Sequence, residues 1–144
     1  MSSHQQLTYV EPEILKAIIQ DKSKIPGRDY IVIDVRDEDR VGGHIPGSVN
    51  IPSKELPDRL PILVEQYQQV PELYFHCALS QARGPKAARR WSNALAEREE
   101  IGQRAISQNI RVLRGGFGEW QRKYKDDNNL VEAYEAEYWT EDYY

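Results

Sequence analysis

Residues 73–91, LYFHCALSQARGPKAARRW, constrain the fold more than any other stretch because they predict a strand, a short loop and a helix in succession. Leu73, Tyr74 and Phe75 are β-favouring residues typical of a short buried strand. Pro85 suits the first turn of a helix, where its missing N–H costs no hydrogen bond. Apolar residues then recur at helical spacing and indicate one buried face: Ala87, Ala88, Trp91, Ala94 and Leu95. Cys77, the only cysteine, is therefore expected between a strand end and a helix N-terminus.

This placement predicts an anion-binding loop around a reactive sulfur. Backbone N–H groups in such a loop, together with the positive end of the helix dipole, bind anions. The same field favours a thiolate over a thiol, and Arg83 adds a cation that binds phosphate in a bidentate manner. A thiolate inside an anion cradle predicts attack on a bound oxyanion, most simply a phosphate ester. A buried, inert cysteine is the alternative, although the loop sequence ALSQA followed by Arg83 is a poor continuation of a core strand.

Three segments carry a resemblance to a known family. HCALSQARGP, residues 76–85, resembles the His-Cys-five residues-Arg signature of cysteine-dependent phosphatases, in the form found in the Cdc twenty-five phosphatases and the related fungal arsenate reductases. VIDVRDEDRVGGHIPGSVNIP, residues 32–52, is similar to the first rhodanese signature, and VLRGGFGEW, residues 112–120, to the closing one. The resemblance covers residues 8–124, and the whole chain is similar to small single-domain yeast members of this group.

The resemblance implies both the fold and the site. The fold is an α/β rhodanese-like domain with a central parallel sheet flanked by helices on both faces. Cys77 is the implied nucleophile and Arg83 binds the oxyanion, while His76 orients the loop from behind. The remaining loop residues are implied to bind phosphate through their backbone: Ala78, Leu79, Ser80, Gln81, Ala82 and Gly84. For the Ser80 side chain, a hydrogen bond to the sulfur or phosphate and a bracing role both remain open.

The length and composition of the loop between Cys77 and Arg83 reduce the number of candidate functions but leave more than one open. Five residues separate Cys77 from Arg83, as in the phosphatase and arsenate reductase branch, whereas sulfur-transferring rhodaneses have a loop one residue shorter. Ala78 and Ala82 stand where the cell-cycle phosphatases carry acids, so no loop carboxylate serves as a general acid. We expect a phosphatase acting on phosphotyrosine-type or dual-specificity substrates. The alternatives are an arsenate reductase that uses an external thiol such as glutathione, and a non-catalytic binding module.

Composition sets the remaining expectations. With 144 residues, 40% of them hydrophobic, the chain is long enough for one domain with a buried core. A net charge of −4 gives no case for nucleic acid or anionic membrane as a partner. We expect phosphorylated proteins or small aryl phosphates as substrates and no cofactor or metal. A single cysteine excludes an internal disulfide and fits a reducing compartment, the cytoplasm or the nucleus.

The surrounding sequence predicts the scaffold. Residues 7–10 predict an edge strand, and Pro12 predicts the start of a helix with one apolar face formed by Ile14, Leu15, Ile18 and Ile19. Residues 30–35 predict a central strand buried on both faces. Ser53 is expected to cap a helical region that Pro57 and Pro61 divide into two short helices.

Several polar segments have two interpretations. Residues 36–39 follow the central strand on the side where we expect the Cys77 loop. We expect a solvated loop there, with Asp34 bonding the backbone, rather than a proton donor for catalysis. We expect His44 to be structural, and Lys86, Arg89 and Arg90 to form a solvated helix face rather than recruit an acidic substrate. The acidic and aromatic tail, residues 125–144, predicts a docked terminal helix; the alternative is a tail draped over the basic helix 84–91.

Overall fold

The computed structural model describes residues 7–102 and 107–139, and these form a parallel sheet covered by helices. The strands are β1 (Thr8–Val10), β2 (Ile31–Asp34), β3 (Val49–Asn50), β4 (Glu72–His76) and β5 (Asn109–Leu113), in the spatial order β1-β5-β4-β2-β3. The helices are α1 (Pro12–Gln20), α2 (Leu56–Gln66), α3 (Arg83–Glu100) and α4 (Gly116–Tyr124), followed by a 3₁₀ turn at Ala136–Tyr138. Every strand pair is parallel, so the predicted α/β class and the edge position of β1 are confirmed.

Side chains alternate between the two faces of the sheet, and each face has its own apolar core. Phe75 of β4 packs with Trp91 of α3 and with α2 residues on one face, where the two rings meet edge to face at 5.7 Å. Tyr74 packs on the other face with Leu15 of α1 and Trp120 of α4. The prediction of helices on both faces is therefore confirmed.

Helix α1 buries a narrower face than predicted. Leu15 is fully buried and Ile18 and Ile19 are partly buried, but Ile14 is 53% exposed. Successive residues of a helix point about 100° apart, so Ile14 faces away from the sheet when Leu15 faces it. The assignment of Ile14 to the apolar face was wrong.

Helix α2 is continuous, contrary to the prediction of two short helices. Pro57 lies in the first turn, where no N–H is needed, and Pro61 lies inside the helix. A proline there costs about 3 kcal/mol, whereas burying each of the α2 side chains Leu56, Leu63 and Val64 contributes about 1.5–3 kcal/mol. The predicted Ser53 cap is also wrong, because Glu55 is the N-cap residue and the Ser53 hydroxyl donates to Asp37 at 2.6 Å.

The tail neither continues as a helix nor lies on α3. Its apolar residues Leu130, Val131 and Trp139 are buried in the core on the α1–α4 side of the sheet. The Trp120 indole donates to the Leu130 carbonyl at 2.8 Å, and the Trp139 indole donates to the Gly42 carbonyl at 2.9 Å. Residues 125–139 are thus docked, as predicted, but they form turns and a 3₁₀ helix at Ala136–Tyr138 instead of a terminal helix. The alternative of a tail draped over α3 was wrong for these residues, and residues 140–144 lie outside the described residues.

His44 joins the tail to the β2–β3 loop, residues 35–48. His44 and Glu132 exchange backbone hydrogen bonds of 3.0 and 2.9 Å, and the His44 ring lies 2.8 Å from the Glu132 carboxylate. The predicted structural role of His44 is confirmed. Within residues 7–102 and 107–139, no helix is long and apolar enough to cross a membrane.

We predict that the tail stabilises the whole fold through Trp139. Replacing Trp139 with Ala removes a side chain that is only 8% exposed and should lower the free energy of unfolding by about 3 kcal/mol. Urea unfolding followed by circular dichroism measures this difference. Glu137→Ala, at an exposed position of the same segment, should change the free energy by less than about 0.5 kcal/mol. Equal effects of the two substitutions would contradict the prediction.

Candidate active site

The candidate site lies where the loops after β2 and β4 meet. Cys77 directly follows β4, the middle strand, and Asp34 ends the neighbouring strand β2. Because the carboxyl ends of parallel strands lie at the same edge of the sheet, the β2–β3 loop and the Cys77 loop, residues 77–82, face each other. Ligands of open parallel sheets bind at this edge.

Backbone donors surround the sulfur of Cys77. The N–H groups of Ser80 and Gly84 point at Sγ from 3.2 and 3.3 Å. The backbone N–H groups of residues 78, 79, 81 and 82 have no acceptor within the part of the chain that the structure describes. Helix α3 begins at Arg83, so its positive end also faces the loop. The Cys77 loop therefore presents unpaired donors around a nucleophilic atom, which is an arrangement suited to an oxyanion.

The start of helix α4 holds the Cys77 loop through two backbone hydrogen bonds. The N–H groups of Phe117 and Gly118 donate to the carbonyls of Cys77 and Ala78 at 2.9 and 2.8 Å. This approach requires a glycine at position 116, where φ is +61° and a Cβ would lie 2.6 Å from those same two carbonyl oxygens. With its carbonyls bound to α4, the loop turns its N–H groups toward the sulfur side.

Ser80 adopts an unusual conformation in the middle of the loop. Its φ of +55° lies in the left-handed region that non-glycine residues rarely occupy. Its hydroxyl is buried and has no hydrogen-bond partner among the described residues. The backbone of Ser80, not its hydroxyl, contacts Sγ. Strained backbone of this kind persists where the surrounding structure holds it, and it concentrates at functional loops.

His76 lies behind the loop, as the resemblance implied. Its Nδ1 is 3.0 Å from the Cys77 carbonyl, which only accepts hydrogen bonds, so Nδ1 carries a proton. Its Nε2 is 3.9 Å from the Asp34 carboxylate. Burial holds the pKa of His76 below its usual range, although the Asp34 charge acts in the opposite direction. A neutral ring donating to the Cys77 carbonyl supports the loop without taking a proton from the sulfur.

Arg83 is held by two carboxylates of the β2–β3 loop. Its Nη1 and Nη2 donate to the two Asp39 oxygens at 2.8 and 2.7 Å, and Nη1 also donates to Asp37 at 3.2 Å. Asp37 is itself fixed by the Ser53 hydroxyl and by the Lys54 backbone N–H. The Nε–H of Arg83 has no acceptor among the described residues, so the edge formed by Nε and Nη2 keeps donors for a ligand.

The sequence analysis placed these two acids on the side of the Cys77 loop but expected them to be solvated, so their contact with Arg83 was not predicted. The hydrogen bonds from Arg83 hold the pKa of Asp39 below its usual range. Burial acts to raise the pKa of Asp37, but hydrogen bonds from Ser53, Lys54 and Arg83 lower it overall. Both are thus ionised at neutral pH. Carboxylates directly after a strand that neighbours the cysteine strand were the signal that pointed to this contact.

The start of the same stretch is buried rather than solvated. Asp34 and Arg36 are fully buried and form an ion pair of 2.7 Å, and Arg36 also donates to the Gly43 carbonyl. Burial alone would raise the pKa of Asp34, but the hydrogen bonds and the charge of Arg36 hold that pKa well below its usual range. The Arg36 guanidinium stacks 4.4 Å from the centre of the Phe117 ring. This pair links the β2–β3 loop to the helix that supports Cys77.

The side chains of the site do not form a metal-binding group. Within residues 7–102 and 107–139, no three His, Cys, Asp or Glu side chains are grouped so that they could hold a metal ion. The acids near Cys77 are instead bound to arginines.

Comparisons with known proteins agree with this geometry. The profile of the rhodanese-like domain matches residues 11–123. The dual specificity phosphatase ibp1 of Schizosaccharomyces pombe is 36% identical over 137 residues, which cover 88% of this chain and 96% of that protein. The structure of a yeast protein tyrosine phosphatase of the rhodanese family superposes with a TM-score of 0.78 at 31% identity and covers 94% of this chain and 99% of its own.

Another similar protein is named for a different activity. The structure of an As-Sb reductase from Leishmania major is 31% identical, with a TM-score of 0.67, and the match covers 88% of this chain and 85% of that one. The profile match and the match to ibp1 extend over most of the chain. The profile match includes the Cys77 loop, the β2–β3 loop and the start of helix α4. The chain therefore belongs to the rhodanese-like family.

Proposed function

We propose that this protein is a cysteine-dependent phosphatase that hydrolyses phosphotyrosine-type or dual-specificity phosphate esters. The observation that carries the proposal is that the backbone N–H groups of Ser80 and Gly84 point at Sγ of Cys77, in a loop whose other N–H groups at residues 78, 79, 81 and 82 have no acceptor among the described residues. Relatives named as phosphatases support a rhodanese-like phosphatase, and the finer substrate class is our inference from the loop.

In the proposed first step, Cys77 attacks phosphorus in line with the ester oxygen. The S–P bond forms as the P–O bond breaks, and the leaving oxygen takes up a proton from water. Water then attacks the phosphocysteine, which releases inorganic phosphate and regenerates the thiolate. A covalent intermediate replaces one difficult displacement by two easier ones.

The loop and Arg83 stabilise the equatorial oxygens in both steps. Unpaired N–H groups of the Cys77 loop donate to these oxygens, and the Nε–Nη2 edge of Arg83 supplies a bidentate charged contact. Such donors already point at the oxyanion before it forms, so they need no reorganisation during the reaction.

Neither acid that contacts Arg83 is able to protonate the leaving group, and this limits the choice of substrate. Asp37 and Asp39 are both ionised through their contacts with Arg83, and an ionised carboxylate has no proton to give to a leaving group. We therefore infer a preference for aryl phosphates such as phosphotyrosine, because phenolate leaves more readily than an alkoxide.

Arsenate reduction is the second candidate function, and the loop, which carries no carboxylate, favours it. Because the chain has a single cysteine, the thiol that resolves the arsenic adduct must come from outside the chain. In this reaction Cys77 attacks arsenic and forms an S–As bond with loss of water. An external thiol such as glutathione then attacks the Cys77 sulfur, so the S–As bond breaks, its electron pair reduces As(V) to As(III), and Cys77 is left in a mixed disulfide. A second external thiol attacks this disulfide, which regenerates Cys77 and releases the disulfide of the two external thiols. The named activity of the Leishmania relative fits this candidate.

Hydrolysis of p-nitrophenyl phosphate by wild type and Cys77→Ser tests the first proposal, with arsenate reduction measured on the same samples in the presence of glutathione. We expect phosphate release by wild type and at least a ~1000-fold loss in Cys77→Ser, because no other nucleophile is positioned at the loop. Mass spectrometry of rapidly quenched wild-type enzyme should show the phosphocysteine.

Two results would change the assignment. Arsenate turnover that depends on both Cys77 and glutathione, without phosphate release, would favour the reductase. Absence of both activities above the Cys77→Ser background would instead favour the non-catalytic binding module.

A second prediction concerns how Arg83 is held. Asp39→Asn replaces a bidentate charged acceptor of Arg83 by an amide with one oxygen acceptor, so the guanidinium loses its fixed orientation. We expect kcat/KM for p-nitrophenyl phosphate to fall about tenfold, which corresponds to ~1.4 kcal/mol of transition-state stabilisation. Steady-state kinetics at neutral pH measures the change.

Glu38→Gln is the matched control for this substitution. Glu38 belongs to the same loop but pairs with Lys54 at the surface, so its replacement should leave kcat/KM unchanged. A rise of kcat/KM in Asp39→Asn above wild type would show that Asp39 competes with the substrate for Arg83 rather than orienting it.

A further inference from the structure

A groove between α2 and α3 opens beside Arg83. It has a volume of about 130 Å³ and is lined on the α3 side by Arg83, Lys86 and Arg90. Residues three and seven positions apart in a helix are displaced by ~4.5 and ~10.5 Å along its axis. The groove thus leads away from the oxyanion-binding arginine for about two turns of α3.

The two further cations of the groove are not neutralised. Lys86 and Arg90 have no hydrogen-bond or ion-pair partner for their side chains among the described residues. Two other arginines of these helices are paired, Arg59 with Glu55 and Arg98 with Glu65, whereas Arg89 of α3 is exposed and, like Lys86 and Arg90, has no partner among the described residues. Arg90 is partly buried despite its missing partner. Unpaired cations along a groove create a field that attracts an anionic group.

The rest of the lining defines what kind of anion fits. Leu56, Pro57 and Ala87 form an apolar floor, and no carboxylate lines the groove. An acidic side chain places methylene groups on such a floor and its carboxylate against the cations. A long polyanion fits poorly, because the chain as a whole carries a net charge of −4.

We propose that this groove binds acidic residues that flank the phosphorylated residue of a protein substrate. The inference rests on the proposed phosphatase function and adds a substrate class to it. The phosphate occupies the Cys77 loop and contacts Arg83, while a neighbouring Asp or Glu of the same polypeptide lies against Lys86 and Arg90. The groove contributes to affinity for the substrate and takes no part in the chemical step.

The experiment compares two phosphotyrosine peptides, one with glutamates on both sides of the phosphotyrosine and one with glutamines. Wild type should show a kcat/KM about tenfold higher for the acidic peptide, an advantage that decreases as salt is added. The Lys86→Ala/Arg90→Ala double variant should lose this advantage. Its kcat/KM for p-nitrophenyl phosphate, which does not reach the groove, should remain that of wild type.

Arg89→Ala provides the matched control. Arg89 lies on the same helix, is exposed and also has no partner among the described residues, but it does not line the groove. Its replacement removes one surface charge and should preserve the preference for the acidic peptide. An equal loss in Arg89→Ala and in the groove variant would overturn the proposal, since a general charge effect would then suffice.

Peptide binding to Cys77→Ser separates this proposal from the phosphatase assignment. Fluorescence anisotropy should show tighter binding of the acidic phosphopeptide and loss of that difference when Lys86 and Arg90 are also replaced. If wild type hydrolyses both peptides without preference, the groove proposal is wrong and the phosphatase stands. If neither peptide is hydrolysed but the acidic one binds through the groove, the phosphatase is wrong. A change in oligomeric state of the groove variant would identify an interface between copies and overturn the proposal.

Discussion

The site depends on two hydrogen bonds that do not touch the sulfur. Phe117 and Gly118, at the start of α4, hold the carbonyls of Cys77 and Ala78. A peptide unit has its carbonyl and N–H on opposite sides, so fixing the carbonyls below the loop turns N–H groups toward the ligand. The two peptide units held in this way carry the N–H groups of Ala78 and Leu79, which have no acceptor among the described residues. Only glycine fits at position 116 because a Cβ there would lie between the helix and those carbonyls.

Charge at the site is arranged in two layers. The inner layer is the buried Asp34–Arg36 pair, which is close to His76 and stacks on Phe117. The outer layer consists of Arg83, Asp37 and Asp39. The side chains of Arg83 and Asp39 are about one-third exposed. A buried pair is costly to break once one partner is removed, whereas an exposed pair exchanges with solvent and ligands more readily. The inner pair therefore serves the architecture, and the outer group is placed to respond to an incoming oxyanion.

The sequence predicted those features of the fold and the site that depend on neighbouring residues in the chain. The strand, loop and helix around Cys77, the parallel sheet and the position of His76 all followed from residues adjacent in the chain or from the family resemblance. The contact between Asp39 and Arg83 did not, because it depends on how two loops 44 positions apart face each other. The predicted tail helix was wrong for a similar reason: the indoles of Trp120 and Trp139 bind backbone carbonyls far along the chain, and the tail forms turns and a 3₁₀ helix instead. The predicted break of α2 at Pro61 was wrong because the loss of one helical hydrogen bond can be read from the sequence, whereas the burial of α2 side chains that offsets it depends on the tertiary structure.

The contact between α4 and the Cys77 loop also has a consequence for biosynthesis. The nucleophile is translated about forty residues before the helix that shapes its surroundings, and β1 pairs with β5 across about one hundred residues. A ribosome that has just released Cys77 from its exit tunnel presents a flexible chain in which the carbonyls of residues 77 and 78 have no α4 partner. The cradle can assemble only after residue 118 has emerged. A nascent or prematurely terminated chain would thus carry the cysteine without the α4 contacts that hold the carbonyls of its loop.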